Sequence, residues 1–289
     1  MSVALAVDVG GTKLEVGIVD EGGVIHARSR VSAEGADSAD DLFDRLGRLT
    51  DRYSDSGAVA CGVGTGGPMS AGGATVSPLN IDVWDEFPLL ERLAARTGLP
   101  TFVDNDAKAL ALAEGWRGTA RGERNFIAMV VSTGVGGGIV LDGRLLDGAA
   151  GNAGHIGHVV VAPEGHELPG HVRGVLESEI SGIAIRHHTG RPAVEADERE
   201  ILRVGTLLGQ AVGSVANLLD LRLAVVAGSV ALGLGEPFFA AANVELDRVA
   251  RLDHSRGARI VPAGLGADGP LVGAAAVAWR ALGRDIGVR

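Results

Sequence analysis

The stretch LAVDVGGTKLEVGIVD, Leu5 to Asp20, reads as strand, tight turn and strand, and IAMVVSTGVGGGIVLDG, Ile127 to Gly143, repeats the pattern. In each copy a run of Val, Ile, Leu and Ala meets glycine beside a hydroxyl residue and then resumes. Gly10, Gly11, Gly134 and Gly136 are expected to take positive φ and to bring amide N–H groups against an anion with no side chain in the way. Thr12 and Thr133 add hydroxyl donors, and Lys13 adds a point charge. One glycine hairpin alone is common and usually binds nothing, so the inference rests on the repetition, with Asp8 and Ser132 in matching places. Two such loops can hold a phosphate chain from both sides. Neither is a Walker A loop, because no GxxxxGK[ST] string occurs. Neither is a Rossmann fingerprint, because β-patterned residues follow the glycines where a helix would be required.

A chain of 289 residues has room for two domains, each with its own core. With 46% hydrophobic but only 3% aromatic residues, those cores must be built from Ala, Val, Leu and Ile. The 45 glycines follow no period and end apolar runs, so they mark turns. A net charge of −10, from 26 basic and 36 acidic residues, argues against nucleic acid or an anionic membrane as a main partner. No apolar run approaches the length of a membrane span, and the N-terminus enters a strand directly with no basic region or cleavage site. A cytoplasmic protein is expected. Cys61 is the single cysteine, and its setting VACGVG reads as a buried strand thiol without chemistry.

Strand signals at 3–9, 14–20 and 24–31 form a meander, and the spacing of Leu42, Phe43, Leu46, Leu49 and Tyr53 predicts an amphipathic helix. VACGVGTGGP is a buried strand running into a loop, the kind of strand end where α/β folds place ligands. Residues 69–88, rich in Gly, Pro, Ser and Asn, read as an extended functional loop, followed by a helix over Leu89 to Arg96 closed by Gly98 and Pro100. TFVDND ends a short strand, and AKALALAEGW is a strong helix. From Phe126 the strand-rich pattern restarts. Helices near 176–189, 198–220, 237–251 and 271–283 and the strand LAVVAG complete a second α/β half. A nucleotide is expected in the cleft between two similar lobes.

DVGGTK at 8–13, GTGGPMSAGGATVSPLN at 64–80, DNDAKALALAEG at 104–115, STGVGGGIVLDG at 132–143 and GAAGNAGHIGHV at 148–159 resemble, in order, the signature stretches of the ROK family of sugar kinases and repressors. The resemblance covers almost the whole chain. It implies an α/β, actin-like, hexokinase-type fold of two lobes, duplicated ribonuclease H-like domains around a central cleft. ATP and Mg²⁺ are held by the two hairpin loops and a hexose binds deeper. Residues 1–115 with about 270–289 form the small lobe, and 116–269 the large one. ROK repressors carry a DNA-binding helical domain ahead of the first hairpin. This chain starts at that hairpin, so the kinase branch is expected, most simply a glucokinase and, by resemblance, a homodimer.

The resemblance also distributes roles. Asp106 matches the catalytic aspartate, the base that activates a sugar hydroxyl for attack on the γ-phosphate; the residues alone would equally allow Asp106 or Asp104 to cap the following helix. Asn105 and Asn80 are sugar-binding by the same match, Asn80 displaced by one inserted residue within the family's Pro-Asn pair. Gly66 and Gly67 line the sugar pocket through backbone groups, where a plain turn before Pro68 explains them as well. Asp8 positions Mg²⁺, and Gly228 lies in the loop that packs on adenosine. His158 keeps the family's histidine and Glu177 its glutamate, both on the sugar.

Two departures stand out. The family's GEIGH is GHIGH here, with His155 replacing an acceptor-only carboxylate by an imidazole, so sugar preference is open to N-acetylated hexosamines and fructose. The family's zinc cysteines, in a CxCGxxGC string, are replaced by Leu168, Gly170 and Val175 in LPGHVRGVLE. His155, His158, His166 and His171 have no closed zinc spacing, so no zinc site is expected and the 162–175 loop should be held by packing alone. A catalytically weak sugar sensor without a DNA-binding domain is the alternative, and polyphosphate is an alternative donor to ATP. Elemental analysis of the purified protein is expected to find no stoichiometric Zn²⁺, and finding it would overturn this reading of the loop.

Overall fold

The computed structural model describes all 289 residues. They gather into two compact units, one of residues 1–122, 145–153 and 265–289, the other of 123–144 and 154–264. The first unit therefore extends beyond residue 115 to 122 and takes in 145–153, a segment the sequence reading assigned to the second lobe.

In the first unit β1 (Val3–Val9), β2 (Lys13–Asp20) and β3 (Ile25–Ser32) form an antiparallel meander. β4 (Ala58–Thr65) and β5 (Thr101–Asn105) are added in parallel on the other side of β1, giving the order β3-β2-β1-β4-β5. β1, β2 and β4 are almost wholly buried because their apolar runs are continuous, as strands covered on both faces require. α1 (Ala39–Thr50) starts at Ser38, whose side chain accepts from the Asp41 amide, and Asp40 and Asp41 in its first turn suit the helix dipole. α2 (Leu89–Thr97) stops at left-handed Gly98. α3 (Asp106–Arg117) packs on α8 (Gly269–Ala281) so closely that a Cβ at Gly273 would lie 2.7 Å from the Ala109 carbonyl oxygen.

The 69–88 segment is less loose than its composition implies. Val76 bridges to Met69 and to Phe87, and Val76, Trp84 and Phe87 are buried in the unit's core, with the Trp84 and Phe87 rings stacked at 4.4 Å. Its three apolar side chains anchor it where its many Gly, Pro and Ser residues would otherwise leave it free.

The second unit repeats the connectivity. β6 (Phe126–Val131), β7 (Val135–Leu141) and the short β8 (Arg144–Leu145) precede β9 (Leu223–Ala227) and β10 (Arg259–Pro262), in the order β10-β9-β6-β7-β8. β9 runs parallel to β6, and β10 parallel to β9. Each sheet thus has a glycine hairpin joining its central strand to an antiparallel neighbour, with two parallel strands on the far side.

Helix boundaries depart from the sequence reading in two places. Residues 176–189 are two helices, α4 (Leu176–Ile180) and α5 (Gly182–Thr189), because Ser181 is extended and its hydroxyl caps the Ala184 amide. The helix read from 237 starts at Ser229: α7 (Ser229–Val249) contains a bend at Gly235, just before Pro237, whose missing N–H breaks the hydrogen-bond ladder. α6 (Glu198–Leu219) is the one helix long and apolar enough by length and composition to cross a membrane, a length of apolar helix the sequence reading had not found. Its Val204, Leu208, Ala211, Val212 and Ala216 are buried in this unit's core, and a Cβ at Gly205 would meet the Phe238 carbonyl of α7 at 2.7 Å. Those residues make α6 a core helix packed on α7.

Thr65 ends β4 fully buried, and its hydroxyl has no hydrogen-bond partner among the protein groups. A buried hydroxyl left unpaired costs about 1–3 kcal/mol. Thr65→Val, which keeps the shape, is expected to raise the unfolding free energy by about 1 kcal/mol in a urea titration. A loss of stability would show that the hydroxyl is engaged.

Candidate active site

In the first unit strand register sets which candidate residues stand side by side. Asp8 pairs with Gly64 and Gly64 with Asp104, while Val9 pairs with Thr65 and Thr65 with Asn105. Three parallel strands therefore deliver their C-terminal ends, and the residues just beyond them, at one edge of the sheet. Asn105 is the N-cap of α3: its Oδ1 accepts from the amides of Ala107 (3.0 Å) and Lys108 (3.4 Å). Asp106 occupies the first turn, where its Oδ1 accepts from the Ala107 amide at 2.8 Å and the helix dipole favours its negative charge. The cap that the sequence left between Asp104 and Asp106 thus belongs to the residue that lies between them.

Asp8 is buried, and its carboxyl is pushed up from its ordinary 3.8 to about 7. Burial is the main cause; the charges of Asp106 and Glu15 add to it, and Lys13 opposes it. Lys13 itself is bound to buried Glu15 at 2.7 Å. Asp8 therefore lies close enough to Asp106 to feel its negative charge.

At the first hairpin the Gly10 amide donates to the Lys13 carbonyl at 3.0 Å. None of Gly10, Gly11, Gly134 and Gly136 has the positive φ expected for it. Glycine is required by close approach instead. A Cβ on Gly11 would lie 2.7 Å from the Asn80 carbonyl oxygen and 2.9 Å from its Nδ2. Asn80 also leans on Gly66, whose Cβ would meet its Oδ1 at 3.2 Å. The backbone of Gly67 accepts from the Leu79 amide at 3.2 Å. The hairpin, the Gly66–Gly67 turn and Asn80 are thus one packed group.

Lys108, which the sequence reading passed over, is buried and binds Asp104 and Asp147 at 2.8 Å each and the Gly151 carbonyl at 3.1 Å. It ties the 145–153 segment to the Asp104–Asp106 loop. Its i, i+4 spacing from Asp104 was the available signal.

In the second unit the hairpin turn is Ser132–Thr133–Gly134. The Ser132 carbonyl accepts from the Gly182 amide at 2.8 Å, and the Ser132 hydroxyl meets that of Ser229 at 3.0 Å, so the starts of α5 and α7 converge on the turn. Gly228, just before α7, has φ 104, and a Cβ there would lie 2.6 Å from the Val131 carbonyl carbon. Close packing of β9 on β6 therefore already requires glycine at 228. Glu177 accepts from the Val135 amide at 2.5 Å and from His171 Nε2 at 2.7 Å. The ring centroids of His155 and His158 are 6.0 Å apart, and those of His158 and His171 6.1 Å. His171 had no signal in the sequence, since only the fold of the 162–175 loop carries it to Glu177.

That loop is held by more than packing. Val160 bridges to Val175, the Val161 and Ala162 amides donate to the Gly174 carbonyl, and the His166 amide donates to buried Glu179 at 2.5 Å. His166, Glu179 and His188 bring ligand atoms within 4.8 Å of one another. The His166 and His188 rings, however, stack at 3.6 Å, which sets their lone pairs side by side instead of on one point, and Arg203 lies 2.6 Å from the same Glu179 oxygen that meets His166. Burial above all, with the charges of His166 and Arg203, pushes His188 down to about 4. We read the group as a packed ion pair, and His155, His158 and His171 do not join it.

Two sheets of the same order, each with a glycine hairpin at its centre, define the actin-like ATPase fold. A family model described as ROK family matches residues 4–281. The glucokinase of Thermotoga maritima is 39% identical over 186 residues, 63% of this chain and 58% of that protein, so this chain spans less than two thirds of that relative's length. The N-acetylmannosamine kinase of Pasteurella multocida is 34% identical over 250 residues, 80% of this chain and 82% of that protein. The crystal structure of a ROK family glucokinase from Streptomyces griseus in complex with glucose and AMPPNP matches with a TM-score of 0.82 at 28% identity, covering 95% of this chain and 98% of that one. The chain belongs to the ROK family.

Because Asp8 ionises near 3.8 when unfolded and near 7 when folded, the folded state holds the extra proton across that window, and stability falls as pH rises through it. In metal-free buffer the melting temperature of Asp8→Asn is expected to gain on wild type from about pH 4 to about pH 7 and to keep a constant lead above. A gap that does not change with pH would contradict the raised Asp8.

Proposed function

We propose that this chain is a sugar kinase that transfers the γ-phosphoryl group of ATP to a hydroxyl of a hexose, with Asp106 as the base. The observation that carries the reading is the closeness of Asp8, near the end of β1, to Asp106, the first residue of α3 just past β5, beside a glycine hairpin and an asparagine that caps α3. Asp106 accepts the proton of the attacking hydroxyl, at an oxygen held near the start of α3. Family resemblance supports Asn105, Asn80, His155, His158 and Glu177 as contacts of the sugar, and Thr12, Lys13 and Thr133 of the glycine hairpins as contacts of the phosphates. Gly228 shapes the adenosine side.

The donor set suits Mg²⁺. Asp8 is an oxygen ligand of the hard type, and the nearby negative charges of Asp106 and Glu15 are what a divalent cation would offset, with Asp106 left to act as the base. When bound there, Mg²⁺ supplies charge neutralisation on the donor's phosphate oxygens. Glucose and N-acetylmannosamine, the sugars named for the relatives, are the first acceptors to try, and His155 in place of a carboxylate supports including acetamido sugars. We place the reaction in the cytoplasm, as the acidic composition supports, and the working form as a homodimer, as family resemblance supports.

A coupled ADP-release assay over hexoses, acetamido sugars and fructose is expected to find turnover with at least one. Asp106→Asn should lower kcat by about 10² or more while nucleotide binding and the melting curve persist. Near wild-type turnover in that variant would remove Asp106 from the role.

A further inference from the structure

Glu177 is the one side chain that touches both the phosphate hairpin and the histidine wall of the second unit. Oε2 accepts from the Val135 amide at 2.5 Å, and a Cβ on Gly134 would come within 2.7 Å of that oxygen. A side chain at 134 would therefore have to displace the Glu177 carboxylate. Oε1 faces His171 Nε2 at 2.7 Å; an ionised carboxylate only accepts, so that nitrogen donates. The second ring nitrogen lies 3.1 Å from the Pro169 carbonyl, which fixes the ring plane. The loop carrying His171 is locked in turn: Gly174 has φ 69, its amide donates to the His166 carbonyl at 2.7 Å, and its carbonyl accepts from the Val161 and Ala162 amides. Side-chain accessibility falls to 22% at His171 and 15% at Glu177, enough to strengthen their bond yet leave the pair open on one side.

We propose that His171 is a positioning residue that clamps Glu177, and that Glu177 carries the constraint to the Thr133–Val135 turn, coupling sugar binding to the nucleotide hairpin. The inference rests on the sugar kinase reading above. A carboxylate offers about four acceptor sites, and two are used here, so the rest are available to sugar hydroxyls at an angle set by His171. Without His171 the carboxylate rotates about its terminal torsions, and both the sugar contact and the amide bond to the turn lose their geometry.

His171→Leu removes the donated hydrogen bond, whereas His171→Gln keeps an N–H donor at a reach close to that of Nε2. In the leucine variant the sugar KM is expected to rise about tenfold and the ATP KM to rise with it, while kcat falls far less; the glutamine variant should stay within about threefold of wild type. Loss of folded protein alone would lower the apparent kcat and leave KM unchanged, so the split separates positioning from stability. Amide exchange at Val135, followed by mass spectrometry or NMR in the absence of substrates, should quicken in the leucine variant and not in the glutamine one. A wild-type sugar KM in His171→Leu, or equal damage in the two folded variants, would overturn the clamp. If wild type turns over no sugar, the kinase reading fails, and the Val135 exchange rates alone then decide whether His171 holds Glu177 and the turn.

Discussion

Parallel pairing of β1, β4 and β5 is the constraint on which the rest depends. Hydrogen bonds between parallel strands set which residues stand side by side, and here they align Asp8, Gly64 and Asp104, with Asn105 and Asp106 next beyond. A slip of one residue would turn every side chain to the opposite face and send Asp8 out of reach of Asp106. β1 and β4 are buried on both faces, so such a slip would also mismatch closely packed side chains on each of them. The same logic runs through the second sheet, where β6 pairs with β9 and its hairpin meets the starts of α5 and α7. A fold that uses this arrangement twice obtains two glycine hairpins from one topology.

Like charges crowd Asp8. Asp106 and Glu15 lie near it, while Lys13 at 2.7 Å and Arg28 at 3.7 Å pair with Glu15. Burial above all, with the charges of Asp106 and Glu15, lets Asp8 hold its proton up to about pH 7 in the free protein. Elsewhere the molecule pairs its buried charges closely: Lys108 satisfies Asp104 and Asp147, and Arg203 with His166 satisfies Glu179. A buried carboxylate crowded by like charges, set beside such pairs, is where a substrate's charges enter the accounting.

Family motifs lost from this chain have been replaced by different physics. Where related proteins have thiolates on zinc, the 162–175 loop has backbone hydrogen bonds to Gly174, the Val160–Val175 bridge and a buried Glu179. In the same loop His171 faces Glu177 at 2.7 Å. The imidazoles of His155, His158 and His171 then form a wall with nitrogen donors where the family's carboxylate would offer only acceptors.

Much of this protein was legible in its residues. Apolar runs of period two and their glycine punctuation marked the strands, the repetition exposed the duplication, and ordered motifs named the family. Composition placed the Asp104–Asp106 loop before a helix because Asp and Asn are natural caps. What the residues could not decide was anything that depends on two distant segments meeting. The hairpin glycines suggest positive φ, but Gly10, Gly11, Gly134 and Gly136 do not have it; at Gly11 the close approach of the Asn80 backbone, far along the chain, leaves no room for a side chain. The helix over 176–189 divides at Ser181, whose hydroxyl competes for an amide, an outcome that periodicity alone does not encode. Local sequence determines which segments are strands or helices because their hydrogen bonds and apolar periods are local. Burial, close backbone approach and the balance of charge at Asp8, Glu177 and His171 were settled only when the sheets brought their partners within a few ångströms.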